Sequence, residues 1–349
     1  MPETLIISTG ATGGHIFPAI VVANFAKKTG LQVKILMSSP RIDLDLDNFE
    51  VHMIPSAPVT GKRANLAINL LKNFAGTIKS MPMTMRLKNS GVLLATGAFP
   101  SVPPVISAIL SGMNFYLMEQ NVVPGAAVKT FAGKAKAVFV SFPETESYLE
   151  GARVIFTGNP VRDLRFYPDA RKYVGVPEGM KIVLVLGGSQ GALKLAETGI
   201  QLSKIMKDVF FFIQCGKVNL EYFKSVGLTG ENYKVEPFFR DMGLMYSLAD
   251  VVVSRAGAGT IFEVMKFGKP LVLVPLQLAH GHQIENARSL ERRGAAKVLL
   301  EDDLTPHTLK NMITEVLYKE SEKMIQAQRE FAPEKPEEKI VKTILEDAQ

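Results

Sequence analysis

Short runs of Val, Ile, Leu and Phe recur along the chain, each closed by glycine, proline or a small polar residue and followed by a stretch in which apolar residues return every three or four positions. In the first half, residues 4–8, 32–37, 92–96, 115–119, 137–141 and 154–157 predict strands. The second half repeats the pattern at 182–186, 209–214, 234–237, 251–254 and 271–275, alternating with helical stretches that include 241–248, 260–267 and 283–293. The best-marked helix starts at Gly13-Gly14, places Ile16, Ala19, Ile20, Ala23 and Ala26 at helical spacing, and stops at Lys27-Lys28-Thr29-Gly30, where cations suit the last turn and glycine the cap. Parallel strands need crossover connections, so the alternation predicts parallel sheets covered by helices on both faces. With a boundary near residues 158–165, the fold class is α/β: two domains with parallel sheets facing a central cleft. Residues 319–349, dense in charge and broken by Pro333 and Pro336, predict surface helices.

Composition keeps that picture and narrows the setting. At 349 residues, 47% hydrophobic and 21% charged, the chain can bury a core in each of two domains, which excludes a disordered protein. Cys215, the single cysteine, ends an apolar run and predicts a small buried hydrophobe in a reducing, cytoplasmic compartment. Met1-Pro2-Glu3-Thr4 leads straight into a strand, so no signal peptide is expected. Residues 89–118 carry no charge, but Gly97, Pro100, Pro103, Pro104 and Gly112 interrupt them; a strand, a loop and a buried helix are predicted there, not a membrane span.

The net charge of +6 is unevenly spread, and no Asp or Glu lies between Glu50 and Glu119. That interval carries Lys62, Arg63, Lys72, Lys79, Arg86 and Lys88 among Leu66, Ile68, Leu70, Leu71, Phe74, Ile78, Met81, Met83 and Met85. A basic, apolar surface suits an anionic membrane face, with a core helix bearing solvated lysines as the alternative. A nucleic-acid partner is not expected.

Candidate chemistry gathers at two glycine-rich turns, Gly10-Ala11-Thr12-Gly13-Gly14-His15 and Gly187-Gly188-Ser189-Gln190-Gly191-Ala192, each placed between a strand and a helix. Such turns bring backbone N–H groups and the positive end of a helix dipole to an anion. The first turn fits neither the dinucleotide fingerprint nor a P-loop. Its His15 stands at a helix start, where imidazole stays neutral and can take a proton from a hydroxyl, or can serve as a capping or packing residue. In the second turn, Ser189 and Gln190 add side-chain donors suited to a diphosphate. Downstream, Arg255-Ala256-Gly257-Ala258-Gly259-Thr260 leads into a helix that carries Glu263 about one turn in, where a carboxylate can accept from sugar hydroxyls. His280 and His282 are two apart, with no Cys or acidic cluster to make a metal site of them.

Taken in order, Gly10 to His15, Glu119-Gln120-Asn121, Gly158-Asn159-Pro160-Val161-Arg162, Gly187 to Ala192, Ala258 to Glu263, and Gln283 with Asn286-Ala287 resemble the MurG family of bacterial glycosyltransferases across nearly the whole chain. The resemblance implies the GT-B fold, a pair of Rossmann-like domains, with residues 1–162 plus 332–349 facing acceptor and membrane, and 163–331 binding UDP-N-acetylglucosamine. It implies an inverting transfer of N-acetylglucosamine to the C4 hydroxyl of a lipid-linked N-acetylmuramyl-pentapeptide, without cofactor or metal, by a peripheral enzyme on the cytoplasmic face of the cell membrane. Carried onto this sequence, it puts Arg162 and Ser189 on the donor diphosphate, Glu263 on the ribose, Gln283 and Asn121 on the N-acetylglucosamine, the Phe238 ring over uracil and the Phe239 backbone at its edge. Thr12, Gly13, Gly14, Gln190, Ala258, Gly259 and Thr260 complete the donor surroundings. His15 is the candidate base, or helps Gly13 and Gly14 hold the acceptor diphosphate; Lys72, Lys79 and Arg86 face the membrane. Met118 replaces the family's histidine, His280 stands where an acidic residue is common, and Ala11 replaces a glycine. The rival readings are a UDP-GlcNAc 2-epimerase-like enzyme and a non-catalytic nucleotide-sugar-binding scaffold for other cell-wall enzymes.

Overall fold

The computed structural model describes residues 2–10, 12–38, 46–58, 63–188, 191–277 and 281–347. Ala11, Lys62, Ser189, Gln190 and His280 lie outside the described residues, as does the side chain of Arg63. The chain forms two compact units, Met1–Arg162 with Glu334–Gln349, and Asp163–Pro333.

In the first unit, β1 (Thr4–Thr9), β2 (Gln32–Met37), β3 (Glu50–Met53), β4 (Gly91–Ala95), β5 (Phe115–Glu119), β6 (Val138–Val140) and β7 (Val154–Phe156) form a parallel sheet ordered β3-β2-β1-β4-β5-β6-β7. Helices α1 (Gly13–Lys28), α2 (Arg63–Leu87), α3 (Val102–Ser111) and α4 (Ala126–Phe131) supply crossovers. Strands β1, β4 and β5 are buried along their whole length, which explains their near-continuous apolar sequence. The order reverses between β1 and β4, and crevices for ligands open at such points beyond the carboxyl ends of strands. The candidate residues of this unit follow β1, β5 and β7.

The second unit repeats the plan. Strands β8 (Lys181–Leu186), β9 (Val209–Gln214), β10 (Thr229–Gly230), β11 (Tyr233–Glu236), β12 (Val251–Ser254), β13 (Leu271–Leu273) and β14 (Lys297–Val298) are ordered β10-β11-β9-β8-β12-β13-β14, antiparallel only between β10 and β11. Helices α5 (Leu193–Ile205), α6 (Leu220–Val226), α7 (Met242–Leu248), α8 (Ala258–Lys266), α9 (His282–Glu291), α10 (Pro306–Glu315) and α11 (Ser321–Phe331) accompany them, and α12 (Pro336–Glu346) returns to the first unit.

The helices expected over 319–349 are present, and each buries one side. Ile340, Val341 and Ile344 of α12 are fully buried in a cluster with Leu5, Ala19, Val22 and Tyr116, while Glu337, Lys339 and Lys342 are left on the outer side. Met324, Gln328 and Phe331 likewise bury one side of α11. Both helices carry an apolar stripe at helical spacing that their high charge content conceals. At the end of α12, Asp347 accepts from the Tyr116 hydroxyl at 3.2 Å and pairs with Arg153 at 2.6 Å. Burial, reinforced by the Asp347 charge, pushes the Tyr116 phenol well above its ordinary range.

Candidate functional site

The turn after β1 is shaped by space. Gly10 has φ +148°, and a Cβ there would lie 2.6 Å from Ser38 Oγ. Beyond it, Thr12 is the extended N-cap of α1 but makes no side-chain capping bond, and the first turn of α1 holds no acid. The first N–H groups of a helix have no partner within it, so the start at Gly13 and Gly14 offers uncapped donors and positive potential.

His15 is held from two strand ends. Its Nδ1 lies 2.9 Å from the Thr96 carbonyl oxygen just beyond β4, while Thr9 at the end of β1 donates to the His15 carbonyl at 3.1 Å. Thr96 Oγ1 in turn donates to Thr9 Oγ1 at 3.1 Å. A carbonyl can only accept, so this contact assigns the proton of the neutral ring to Nδ1 and makes Nε2 its basic nitrogen.

Beyond β5, the buried Glu119 carboxylate organises the next loop. It accepts from the backbone N–H of Asn121 at 2.9 Å and of Gly125 at 2.8 Å, and from Asn121 Nδ2 at 3.3 Å. Burial raises the proton affinity of Glu119 above the usual carboxylate range, against the pull of these donors. Met118, where the family histidine would stand, is 3% exposed and packs in the core. Arg162, the last residue of the unit's first segment, lays its guanidinium over the Phe17 ring of α1, 4.6 Å from the centroid.

In the second unit, the turn after β8 also needs glycine. Gly188 and Gly191 have φ +77° and +75°, and a Cβ on Gly191 would lie 2.3 Å from the Cys215 carbonyl oxygen. Cys215 itself is buried, with its thiol pushed up by desolvation. Gln214 links this turn to the aromatic pair: its Nε2 donates to the Gly188 carbonyl at 3.3 Å, and its Oε1 accepts from Phe239 N–H at 3.4 Å. Phe239 is 7% exposed and packs on Phe212, whereas Phe238 is 51% exposed.

Ala258, Gly259 and Thr260 open α8 behind Gly257, again with no side-chain cap. Glu263 is buried in that helix and accepts from the Tyr246 hydroxyl of α7 at 3.0 Å. Gln283 at the start of α9 accepts from Ala256 N–H at 3.2 Å and Leu276 N–H at 3.0 Å. Both bonds fall on Oε1, so Gln283 ties the loops after β12 and β13 together. Arg255, by contrast, spends its guanidinium on Glu301 and the Val274 carbonyl. Among the described residues no group of three or more His, Cys, Asp or Glu could hold a metal ion.

Comparison with known proteins turns this geometry into a family. Residues 5–140 match the glycosyltransferase family 28 N-terminal domain, and residues 182–344 its C-terminal domain. The UDP-N-acetylglucosamine--N-acetylmuramyl-(pentapeptide) pyrophosphoryl-undecaprenol N-acetylglucosamine transferase of Sulfurihydrogenibium sp. (strain YO3AOP1) is 32% identical over 348 residues, covering 99% of each chain. The enzyme of that name from Aquifex aeolicus is 32% identical over 98% of this chain and 99% of its own. The crystal structure of Acinetobacter baumannii MurG superposes with a TM-score of 0.76 at 27% identity, covering 99% of this chain and 100% of that one.

The chain belongs to the MurG family. Each unit brings its own share of the MurG-like motifs to the carboxyl edge of its own sheet. Thr12, Gly13, Gly14, His15, Asn121 and Arg162 lie in the first unit; Phe238, Phe239, Ala258, Gly259, Thr260, Glu263 and Gln283 lie in the second. Sequence reasoning missed the residues that hold these: Thr9 and Thr96 for His15, Glu119 for Asn121, Phe17 for Arg162, Gln214 for Phe239 and Tyr246 for Glu263. Only Glu119 had a signal, its place inside a recognised motif.

Helix α2 has its polarity reversed. The side facing the fold carries Asn73, Thr77, Ser80 and Thr84, all at most 6% exposed, while Leu71, Phe74, Ile78 and Met85 are 55–68% exposed. The buried polar groups are satisfied locally: Asn73 exchanges two bonds of 2.9 Å with the Ala57 backbone, and Thr84 and Ser107 hydroxyls meet at 2.7 Å. Leu71, Ile78 and Met85 recur every seven residues, and so do the exposed Lys72, Lys79 and Arg86 next to them. Seven residues are nearly two helical turns, so an apolar stripe runs beside a basic one. No helix among the described residues is long and apolar enough to cross a membrane.

Proposed function

We propose that this chain transfers N-acetylglucosamine from UDP-N-acetylglucosamine to the C4 hydroxyl of a lipid-linked N-acetylmuramyl-pentapeptide, with inversion at the anomeric carbon. The observation that carries the proposal is the setting of His15. An imidazole oriented through Nδ1 by Thr96, at a helix start without a side-chain cap, puts a base beside an anion site when the ring is neutral. An acceptor whose sugar hydroxyl must lose a proton and whose diphosphate needs donors matches both features. The hydroxyl attacks from the face opposite UDP and Nε2 takes its proton, while Gly13 and Gly14 N–H groups hold the acceptor diphosphate.

The donor belongs to the second unit in this reading. Phe238 covers uracil, and the Phe239 backbone lies at its edge with its N–H directed to Gln214. Glu263, steadied by Tyr246, accepts from the ribose, and Gln283 and Asn121 are the residues assigned to N-acetylglucosamine. The leaving diphosphate gains charge as the bond breaks, so Ser189, Gln190, the N–H groups around Ala258, Gly259 and Thr260, and Arg162 stabilise the transition state more than the ground state.

Helix α2 brings the enzyme to its substrate. Exposed Leu71, Phe74, Ile78 and Met85 enter the interface of an anionic cytoplasmic leaflet while Lys72, Lys79 and Arg86 attract its headgroups. This surface favours the transferase over an epimerase of soluble UDP-N-acetylglucosamine, which has no use for it. A scaffolding protein has no use for His15 and its threonine relay. Purified protein should release UDP only when the donor and a lipid-linked muramyl acceptor are both supplied; conversion of UDP-N-acetylglucosamine without acceptor contradicts the proposal.

A further inference from the structure

The chain after β7 takes a constrained route. Thr157, Gly158, Asn159 and Pro160 are all buried, and the Ser141 hydroxyl beyond β6 donates to Asn159 Oδ1 at 3.3 Å. Strands β6, β5 and β4 separate β7 from β1, so α1, which follows β1, begins four strand spacings away, about 19 Å. Gly158, at φ +75°, turns the backbone as it leaves β7. What the Arg162 side chain meets on α1 is the face of Phe17, 4.6 Å from guanidinium carbon to ring centroid.

We propose that Phe17 is the positioning residue for Arg162. Stacking engages the face of a guanidinium and leaves its N–H donors in the plane, directed outward, which is the arrangement that phosphate oxygens need. A long side chain would otherwise have to be ordered at each turnover; the ring holds the charge in place beforehand. Phe17 is two residues past His15, so one turn of α1 fixes both the base, through Thr96, and the cation, through the ring. The inference rests on the assignment of Arg162 to the donor diphosphate.

The test is titration of the full-length protein with UDP and with uridine. Phe17→Leu should weaken UDP about 3- to 10-fold and leave uridine unchanged, because only a phosphate feels the displaced charge. Phe17→Tyr and Phe17→Trp, which keep an aromatic face, should retain the parent's UDP affinity, and Phe17→Leu should add nothing in an Arg162→Ala background. If Arg162→Ala weakens UDP while Phe17→Leu does not, Phe17 has no positioning role and the donor assignment stands. Unchanged UDP affinity in Arg162→Ala itself removes the donor assignment and the inference with it. Equal loss of UDP and uridine in Phe17→Leu, or the same loss in Phe17→Tyr, makes Phe17 a packing residue and overturns the proposal.

Discussion

The two units share one plan, a parallel sheet with glycine turns at its carboxyl edge, yet the groups set around those turns differ in kind. In the first unit the helix start carries an imidazole with an assigned tautomer, and the same unit presents a reversed helix with an apolar and a basic stripe. In the second, the starts of α5 and α8 are likewise without side-chain caps, but their surroundings are amides, a hydroxyl-bound carboxylate and an exposed phenyl ring. The fold supplies an anion site in both places. Under the proposed function, what surrounds it decides whether the unit moves a proton or recognises a nucleotide.

If that division holds, substitutions of the base or of the α2 surface should leave UDP affinity untouched. The largest effect belongs to His15→Ala, which should lower turnover by roughly 100-fold or more while calorimetry finds UDP affinity intact. Normal turnover of the variant across the pH range would remove the base, and a loss confined to acceptor affinity would make His15 an anchor of the acceptor diphosphate. Next comes the membrane surface. Changing Lys72, Lys79 and Arg86 together to Glu removes about 1 kcal/mol of attraction per residue, enough to release the protein from anionic vesicles without altering donor binding. If the triple variant sediments with those vesicles as the parent does, α2 is not the contact.

Glu263→Ala tests the second unit and should weaken UDP-N-acetylglucosamine by about 1–3 kcal/mol. Vesicle binding should not change. A folded variant with unaltered donor affinity would free Glu263 of its assignment to the ribose. Tyr116→Phe should have the smallest effect. It removes one hydrogen bond to Asp347, about 1 kcal/mol, and should lower the unfolding midpoint slightly with donor affinity unchanged. A variant as stable as the parent would show that Tyr116 does not help to hold α12.

The regular elements were legible because parallel strands buried on both faces must be apolar almost throughout. The spans 209–214 and 251–254 coincide with β9 and β12. Strand β3 escaped because it is four residues at a sheet edge with both ends exposed, and β10 and β14 because two residues carry no period. In α12 the abundant charges hid the stripe Ile340, Val341, Ile344. In α2 the letters could not say which face was turned inward: apolar spacing suits a core helix equally well, and only the burial of Asn73, Thr77, Ser80 and Thr84 tells them apart. Site residues within a motif could be read, but their supports could not. Thr96 meets His15 across 81 positions, Tyr246 meets Glu263 from another helix, and Phe17 meets Arg162 from the far side of the sheet, contacts that only the sheet order creates.

The most direct measurement follows the sugar itself. Protein supplied with UDP-N-acetylglucosamine labelled in the hexosamine, and with lipid-linked N-acetylmuramyl-pentapeptide, should pass the label to the lipid fraction as a β-1,4-linked disaccharide with one UDP released per transfer. Label that remains on the nucleotide, as the 2-epimer or as unchanged donor, would contradict transfer, and an α-linked product would contradict attack from the face opposite UDP.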